Sequence, residues 1–278
     1  MGSGVSALRT FMKGLEVIGN NIANVNTTGF KGSSASYADS FSNILQQSSA
    51  TSSAVAVGTG VKIAGVNVDF TQGSLSSTGK STDLGISGNG FFTVKNPTSG
   101  ETFVSRAGDF RWDQNGYLVT SEGYRVQGLT GTPPSTVGDI QLDAAAAAAN
   151  GRTSVAIDKN GSVVESYSDG SSATTGQLLL QDFKEPAALV AQGNNLFNGM
   201  SAAGPTNTGA SVTLLADGSN TPGSNGLGTI QSGTLELSNV DLTTQFSDLI
   251  TTQRSFQAGS RLLTVSDTIL DDIVNLKR

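Results

Sequence analysis

Both ends of the chain carry apolar residues that recur every three or four positions, whereas the long middle does not. Such spacing predicts an amphipathic α-helix. Near the N-terminus the recurring residues are Val5, Leu8, Met12, Leu15, Ile18, Ile22 and Val25. Near the C-terminus they are Leu242, Phe246, Leu249, Phe256, Leu262, Val265, Ile269, Ile273 and Leu276. The ends therefore predict two helices that bracket whatever the middle folds into.

Polar residues mark the predicted ends of these helices. Gly29 follows Asn26, Thr27 and Thr28, and we expect it to cap the first helix in the left-handed conformation. Ser238 or Asn239 is expected to cap the second helix. Asp241 then lies in its first turn, where a negative charge complements the helix dipole.

The middle of the chain has the patterns of β-strands and hairpins. Residues 61–63 and 66–70 alternate in polarity, and the slip at Ala64 and Gly65 predicts a β-bulge. Asp-x-Asn-Gly occurs at 113–116 and again at 158–161. Because Asn-Gly tolerates positive φ, both segments predict hairpin turns. The fold class is therefore a mainly β middle domain, rich in hairpins, flanked by N- and C-terminal α-helices.

We divide the chain into two domains on this basis. Residues 1–59 and 235–278 form a discontinuous terminal helical domain. Its Ser-rich connector, residues 32–59, is expected to be extended or partly helical. Residues 60–234 form a β-rich outer domain. Within it, the Pro/Ala-rich residues 130–151 are expected to be a surface excursion.

The terminal helices can pack on the β domain, or they can pair with each other as a separate helical layer that also contacts other subunits. Small and amide side chains among the apolar ones suit close helix contact and favour pairing. These residues are Gly14, Gly19, Asn20, Asn21 and Asn24. Gln253 and Ser260 interrupt the second apolar stripe, so we do not expect a strict heptad seam.

Composition closes the commonest catalytic routes. The 278 residues include 0 Cys and 0 His. The chain therefore lacks the residues for a disulfide, a thiolate nucleophile, a Ser-His-Asp triad or a His-ligated metal. The net charge of −6, without a basic cluster, argues against nucleic-acid binding. No apolar run approaches the ~20 residues of a membrane span, so we expect no membrane insertion.

Two glycine-rich segments partly match the motifs of nucleotide-binding sites. Gly79-Lys80-Ser81 follows Gly73 with five intervening residues, whereas a phosphate-binding loop needs four and a following helix. Gly58 to Gly65 has a misplaced third glycine for a dinucleotide motif. Both are interpreted as ordinary loops, and we expect no cofactor.

Other candidate chemistry is equally weak. The Asp-x-Asn-Gly turns lack the further oxygen ligands of a calcium loop. Asp271 and Asp272 are adjacent on a helix and cannot face one substrate. Trp112, Tyr117 and Tyr124 are interpreted as core or strand residues. A carboxylate-based hydrolase or a carbohydrate-binding β domain remains the alternative from another functional class.

Several segments resemble flagellar rod and hook proteins. The most specific is VIGNNIANVNTTGFK at 17–31, and residues 237–278 are similar to the other end of the same family. Residues 71–94, 105–128 and 157–170 also fit. The resemblance implies a structural protein rather than an enzyme. It implies subunits that stack into a hollow helical tube with the terminal helices inside.

Within this family, residues 176–197 and the VNLKR ending favour the hook over the rod. The resemblance therefore implies a hook subunit that links rod to filament and transmits torque as a flexible joint. A distal or proximal rod subunit is the alternative. Implied partners are further copies of the chain, other axial proteins (rod, hook cap, hook–filament junction) and the export apparatus. The implied location is the flagellar basal body or hook, outside the cell after type III export without a cleaved signal peptide.

The predicted subunit interface combines the apolar stripes of both helices with the asparagines of the first. Burying such stripes on a growing tip would couple helix ordering to assembly. The predicted residues are Leu8, Met12, Leu15, Ile18, Asn20, Asn21, Ile22, Asn24, Phe246, Leu249, Phe256, Leu262, Ile269 and Ile273.

Overall fold

The structure, a computed structural model, describes residues 2–46, 55–131, 134–206 and 220–275. Leu276 of the predicted second stripe lies outside these residues. The chain divides into two compact units. The first, here called the helical unit, comprises Met1–Val25, Lys31–Asp69 and Val240–Arg278. The second, here called the β unit, comprises Asn26–Phe30 and Phe70–Asn239.

Two long helices and four strands build the helical unit. The helices are α1 (Gly2–Ala23) and α4 (Leu242–Asn275). The strands are β1 (Ser33–Asp39), β2 (Ser42–Gln46), β3 (Val55–Gly58) and β4 (Val61–Val68). β1 pairs antiparallel with β4, and β2 pairs antiparallel with β3.

The two terminal helices pair antiparallel along the length of α1. A Cβ built on Gly4 would lie 3.3 Å from Leu263 Cδ2, and one built on Gly259 would lie 3.3 Å from Leu8 Cδ2. The predicted fold class, a β-rich middle flanked by helices that pair with each other, is confirmed.

The seam between the helices has a heptad spacing, contrary to our expectation. The prediction included Ile18, Leu249 and Phe256 but left out Gly4, Thr252 and Gly259, because small or polar residues do not belong to an apolar stripe. On α1 a heptad series of buried or half-buried positions is Gly4, Ala7, Phe11, Gly14, Ile18 and Asn21; Ser6, Leu8, Thr10, Leu15, Val17 and Ile22 are also buried or half-buried. On α4 they are Gln245, Leu249, Thr252, Phe256, Gly259, Leu263 and Ser266, with Ser255 beside them.

Both predicted helix caps were wrong. Asp241, rather than Ser238 or Asn239, caps α4: its Oδ1 accepts the Thr243 N–H at 2.8 Å. This bond lowers the pKa of the Asp241 carboxyl. α1 ends at Ala23, so Gly29 lies too far along the chain to cap it.

Gly29 has another role within the β unit. Its φ is +68°, and its N–H donates to Glu236 O at 2.7 Å. A Cβ there would come within 2.6 Å of the Ala107 backbone nitrogen. Both the left-handed backbone and this close approach require glycine.

The connector after α1 is extended rather than helical in its described parts. Residues 33–39, 42–46 and 55–58 are all strands. The predicted bulge is confirmed, because Ser36 pairs with Gly65 and Tyr37 pairs with Ile63, which leaves Ala64 without a partner. The structure groups β4 with the helices, whereas we assigned residues 60–69 to the outer domain. The division into folding domains stays a prediction.

The β unit contains most of the strands. They are β5 (Leu75–Ser77), β6 (Leu84–Ser87), β7 (Phe91–Lys95), β8 (Thr102–Ser105), β9 (Arg111–Trp112), β10 (Leu118–Val119), β11 (Arg125–Thr130), β12 (Thr136–Asp139), β13 (Arg152–Ile157), β14 (Ser162–Tyr167), β15 (Ser172–Leu178), β16 (Leu180–Gln181), β17 (Val190–Gly193), β18 (Leu196–Asn198), β19 (Thr229–Ser232) and β20 (Thr234–Glu236). Short helices are α2 (Ala144–Asn150), α3 (Met200–Ala203) and a 3₁₀ turn at Pro186–Ala188.

One large antiparallel sheet forms the body of the β unit. Its main path runs β13-β14-β15-β11-β7-β8-β18-β17, and short strands attach to β7, β10 and β11. Two further two-stranded ribbons pair β6 with β19 and β5 with β20. The core lies among these strands and is centred on Phe92, Leu118, Val126 and Leu178, which are fully buried.

Both Asp-x-Asn-Gly segments form the predicted hairpin turns. Gly116 N–H donates to Asp113 O at 2.9 Å, and Gly161 N–H donates to Asp158 O at 2.8 Å. Both glycines have φ of +78°. The first turn joins β9 to β10 and the second joins β13 to β14. Asn-Gly chemistry was sufficient to predict them.

Residues 130–151 form a surface excursion only in part: α2 (Ala144–Asn150) is mostly exposed, whereas residues 136–142 belong to the sheet and core of the β unit. β12 pairs with β11, and the following Ile140 and Leu142 are buried in the main core. Ile140 enters a space left by two glycines: a Cβ built on Gly128 would lie 2.6 Å from Ile140 Cδ1, and one on Gly176 would lie 3.2 Å from it. Composition did not predict this burial, because Ile140 and Leu142 stand between Pro- and Ala-rich flanks.

Candidate assembly interface

Large apolar side chains of α4 remain exposed although the helix is paired with α1. Phe246 is 50%, Leu262 62% and Ile273 57% exposed. Such a concentration on one helix is typical of a protein–protein contact. The exposed apolar residues of α4 are Leu242, Phe246, Ile250, Leu262, Val265, Ile269, Leu270, Ile273 and Val274.

The structure divides the predicted interface residues into two groups. One group packs inside the helical unit, wholly or in part: Leu8, Leu15, Ile18, Asn21, Ile22, Asn24, Leu249 and Phe256. The other group is exposed: Met12, Asn20, Phe246, Leu262, Ile269 and Ile273. Periodicity identified apolar positions correctly, but it did not separate contacts within one subunit from surfaces left free.

Asn21 makes the polar contact that fixes the register of the helical unit. Its Nδ2 donates to Gln245 Oε1 at 2.9 Å and to Ser33 O at 2.7 Å, while its Oδ1 accepts the Ser33 N–H at 2.9 Å. The side chain is 1% exposed. Asn24 Nδ2 donates to the backbone O and to Oδ1 of Asn20, four positions earlier. Asn21 is thus a predicted asparagine that links separate elements of the helical unit.

Sequence reasoning left several exposed apolar residues out of the predicted interface. Ile250 lies one helical turn after Phe246, and Val274 lies one turn after Leu270. The four-residue spacing was the available signal. Ile250 and Val274 were not predicted because the prediction followed one apolar stripe along the helix, whereas the end of α4 is apolar on more than one face.

The glycine-rich loop and the aromatic residues that were candidates for nucleotide or sugar binding have structural roles. Residues 78–82 form the loop from β5 to β6, and no helix follows Lys80. Trp112 and Tyr124 pack against the main core. The Arg125 guanidinium lies over the Tyr117 ring, and its Cζ is 3.9 Å from the ring centroid. Among the described residues, no group of three or more acidic side chains is placed to hold a metal ion.

Buried charges in the β unit are held by partners. Arg106 Nη1 lies 3.2 Å from Glu236 Oε2, and both side chains are buried. Gly73 N–H donates to Glu236 Oε1 at 2.9 Å, and Arg106 Nη2 donates to Gly88 O at 2.9 Å. Burial lowers the pKa of the Arg106 guanidinium, although the Glu236 carboxylate opposes this. Both groups are enclosed by the fold, although Arg106 Nε has no hydrogen-bond partner among the described residues.

No helix in the described part of the chain is long and apolar enough to cross a membrane. The exposed apolar residues of α4 are interrupted by Arg254, Arg261 and four aspartates. Their pattern is that of a surface for another protein element.

Three family models match successive parts of the chain. Residues 1–31 match the model described as flagella basal body rod protein. Residues 85–165 match the flagellar hook protein FlgE/F/G D1 domain. Residues 231–276 match the C-terminal model of the flagellar basal body rod FlgEFG proteins. The matches include both terminal helices and part of the β unit.

Individual relatives extend this similarity over nearly the whole chain. The flagellar basal-body rod protein FlgG of Bacillus subtilis is 35% identical over 282 residues, covering 99% of this chain and 98% of the relative. FlgG of Caulobacter vibrioides is 33% identical, covering 98% and 100%. The flagellar hook protein FlgE of Escherichia coli is 26% identical over 419 residues, covering 98% of both.

These matches, together with the paired terminal helices, define the class as flagellar axial proteins, which are structural and not enzymes. Proteins of this class polymerise with themselves and with other flagellar components. The chain belongs to the family of flagellar basal-body rod and hook proteins.

Proposed function

We propose that the chain is a subunit of the flagellar basal-body rod. This replaces the hook as the favoured function within the family. The rod relatives from Bacillus and Caulobacter correspond to the chain from end to end, at 35% and 33% identity. The hook relative is 26% identical, and its alignment runs to 419 positions against 278 residues here. The hook protein therefore includes a long segment without a counterpart in this chain.

The observation that best supports a rod subunit is this end-to-end correspondence with rod proteins. Electron microscopy of polymers grown from purified protein tests the proposal. We expect short, straight tubes. Long, curved tubes would favour the hook, and protein that stays monomeric under all assembly conditions would contradict self-polymerisation.

We also propose that the helical unit provides the main contacts between subunits, with the β unit as the outer domain. Supporting this, the exposed apolar residues of α4 lie in the helical unit, and the apolar core of the β unit is well buried. We place Met12, Phe246, Leu262, Ile269 and Ile273 in these contacts. Leu249 and Phe256 act within each subunit by holding α4 on α1.

The contrast between these groups gives a test. Ile269→Asp should block polymerisation while the far-UV circular dichroism of the monomer stays unchanged, because Ile269 is 53% exposed. Gln253→Asp, an exposed polar position on the same helix, is the matched control and should polymerise normally. Leu249→Asp should instead reduce helix content. Normal polymerisation of Ile269→Asp would remove this residue from the interface.

Location and export follow from the same proposal. We propose that the protein resides in the basal body, next to other rod and hook components, after unfolded export through the flagellar apparatus without a cleaved signal peptide. The absence of Cys agrees with export, since no thiol can cross-link outside the cell. Mass spectrometry of purified basal bodies would test this, with an intact N-terminus expected.

A further inference from the structure

An open groove runs between α1 and β4 in the helical unit. Thr10 Oγ1 donates to Val61 O at 3.0 Å and ties the helix to the strand. On the surface the groove widens into two adjoining hollows of about 620 and 510 Å³, which share Lys13 and Ile63. Val5 and Val61 continue the apolar part of its lining.

The groove has a positive rim. Arg9 and Lys13 lie four positions apart and project from the same face of α1. Lys62 lines the groove from β4. Neither Arg9 nor Lys13 forms an ion pair with any residue that the structure describes. Glu16, at the far end, is the acidic residue of the lining. An apolar floor with a basic rim suits an acidic, amphipathic helix.

The last described turns of α4 have this character. Asp267, Leu270, Asp271 and Val274 lie three, one and three positions apart in turn and share one side of the helix. All four are exposed. Asp267 and Asp271 have the same four-residue spacing as Arg9 and Lys13. The acidic stretch is local, because Lys277 and Arg278 follow it in the sequence.

The acidic segment of α4 cannot reach the basic groove of its own chain. The contact between Leu8 and Gly259 places Arg9 beside the middle of α4. Measured from Gly259, Asp267 lies about 12 Å and Asp271 about 18 Å farther along the helix axis, at about 1.5 Å per residue. The complementary charges of one chain are therefore held apart by the helix pairing itself, and two different chains are needed to bring them together.

We propose that the acidic face of α4, Asp267 to Val274, binds the α1/β4 groove of a second copy of the chain. Leu270 and Val274 would cover the apolar floor while Asp267 and Asp271 pair with Arg9 and Lys13. The contact joins two different surfaces, so each bound copy still presents a free groove or a free acidic face. Repetition builds an open polymer rather than a closed dimer. The inference rests on the proposed function and specifies one of its contacts.

A charge exchange tests this contact in the full-length chain. We compare critical concentrations for polymerisation, measured by sedimentation, for wild type, Arg9→Glu/Lys13→Glu, Asp267→Lys/Asp271→Lys and the combination of all four. Each double variant should raise the critical concentration by about tenfold, since it sets like charges against one another. The combined variant should return to within about threefold of wild type. Lys80→Glu/Glu122→Lys, exposed in the β unit, is the matched control and should behave as wild type.

The outcomes separate this contact from the proposed function. If wild type polymerises but the combined variant is no better than either double variant, the groove and the acidic face do not meet and the proposal is wrong. Double variants that polymerise normally would also overturn it. If wild type itself fails to polymerise, it is the rod function that fails. Circular dichroism of the monomers must show unchanged helix content, and recovery in the combined variant excludes misfolding as the cause.

Discussion

Asn21 in α1 donates a hydrogen bond to Gln245 in α4 at 2.9 Å, across 224 residues of sequence. The same amide exchanges two hydrogen bonds with the backbone of Ser33 at the start of β1. A single buried side chain thus joins both terminal helices and the first strand. Buried amides of this kind select one register, because any shift leaves their polar groups without partners.

Removal of this amide should destabilise the helical unit. Asn21→Ala leaves Gln245 and the Ser33 backbone without these partners, so we expect a loss of about 1–3 kcal/mol. Urea unfolding followed by far-UV circular dichroism measures it, because α1 and α4 dominate that signal. Asn20→Ala, on the exposed side of the same helix, is the control and should cost less than about 0.5 kcal/mol. Equal losses for the two variants would show that Asn21 has no special role.

Two glycines of α1 should respond differently to substitution by alanine. Gly19 has open space around it, so Gly19→Ala should stabilise the helix by up to about 1 kcal/mol. Gly14→Ala should lose this gain, because its Cβ would collide with Tyr37 Oη. Adding Tyr37→Phe removes the colliding atom and should restore the gain. Unfolding midpoints measured by circular dichroism compare the stabilities of these variants. A stabilising Gly14→Ala single variant would contradict the close approach of Tyr37.

A glycine pair across β11 and β12 offers a matched test of core packing. Gly128 and Gly138 are register partners. Gly128→Ala would place a Cβ against the Gln177 backbone oxygen and 2.6 Å from Ile140 Cδ1, and we expect a loss of about 1–3 kcal/mol from overpacking. Gly138→Ala meets Thr130 Oγ1 at 3.3 Å, a milder contact that the side chain can relieve. The fluorescence of Trp112, in the β unit, is the readout, and equal effects would remove the special role of Gly128.

The two Arg–carboxylate pairs of the β unit should differ strongly in their response to truncation. Glu236→Ala leaves Arg106 buried without its carboxylate, and we expect about 3–5 kcal/mol of destabilisation. Arg125→Ala breaks a pair whose side chains are 29% and 25% exposed, and about 1 kcal/mol or less is expected. Thermal unfolding monitored through Trp112 compares them. A smaller effect for Glu236→Ala than for Arg125→Ala would show that burial does not set the cost.

Asp139 should add to stability at neutral pH and lose this contribution in acid. Burial opposes its charge, but hydrogen bonds from Gln127 and Arg125 outweigh burial and lower the pKa of the carboxyl below 3.8. Because the folded pKa lies below the unfolded one, the contribution is full above about pH 4 and disappears as pH falls through the folded pKa. Asp139→Asn should therefore be less stable than wild type at pH 7, and the difference should shrink by pH 3. A constant difference in urea midpoint would contradict this.

Local patterns predicted much of the fold. The two helices, the bulge at Ala64 and the turns at Gly116 and Gly161 are set by residues close in sequence, through side-chain periodicity and the φ values that Asn-Gly tolerates. The core residues Ile140 and Leu142 were not predicted. They are buried because Gly128 and Gly176, distant in sequence, leave room for the Ile140 side chain.

The candidate interface was predicted in kind but not in detail. Large apolar residues suggested the seam, yet the α1–α4 contact runs through Gly4, Gly14 and Gly259. The sequence analysis included Gly14 among the small residues that suit close helix contact, but Gly4 and Gly259 were left out because hydrophobic periodicity ranks side chains by size and polarity. Periodicity also could not assign Leu249 to the subunit interior and Ile269 to its surface, since both are equally apolar.

The sequence by itself determined that this chain has a helix at each end, a hairpin-rich β middle and none of the residue types for thiol or histidine chemistry. These properties depend on neighbours in the chain and on composition. Tertiary structure alone decided which face of each helix is used within the subunit. It also decided that the acidic end of α4 lies far from the basic groove beside α1. That outcome depends on the antiparallel register of the helices, which Asn21 and Gln245 fix across the length of the chain.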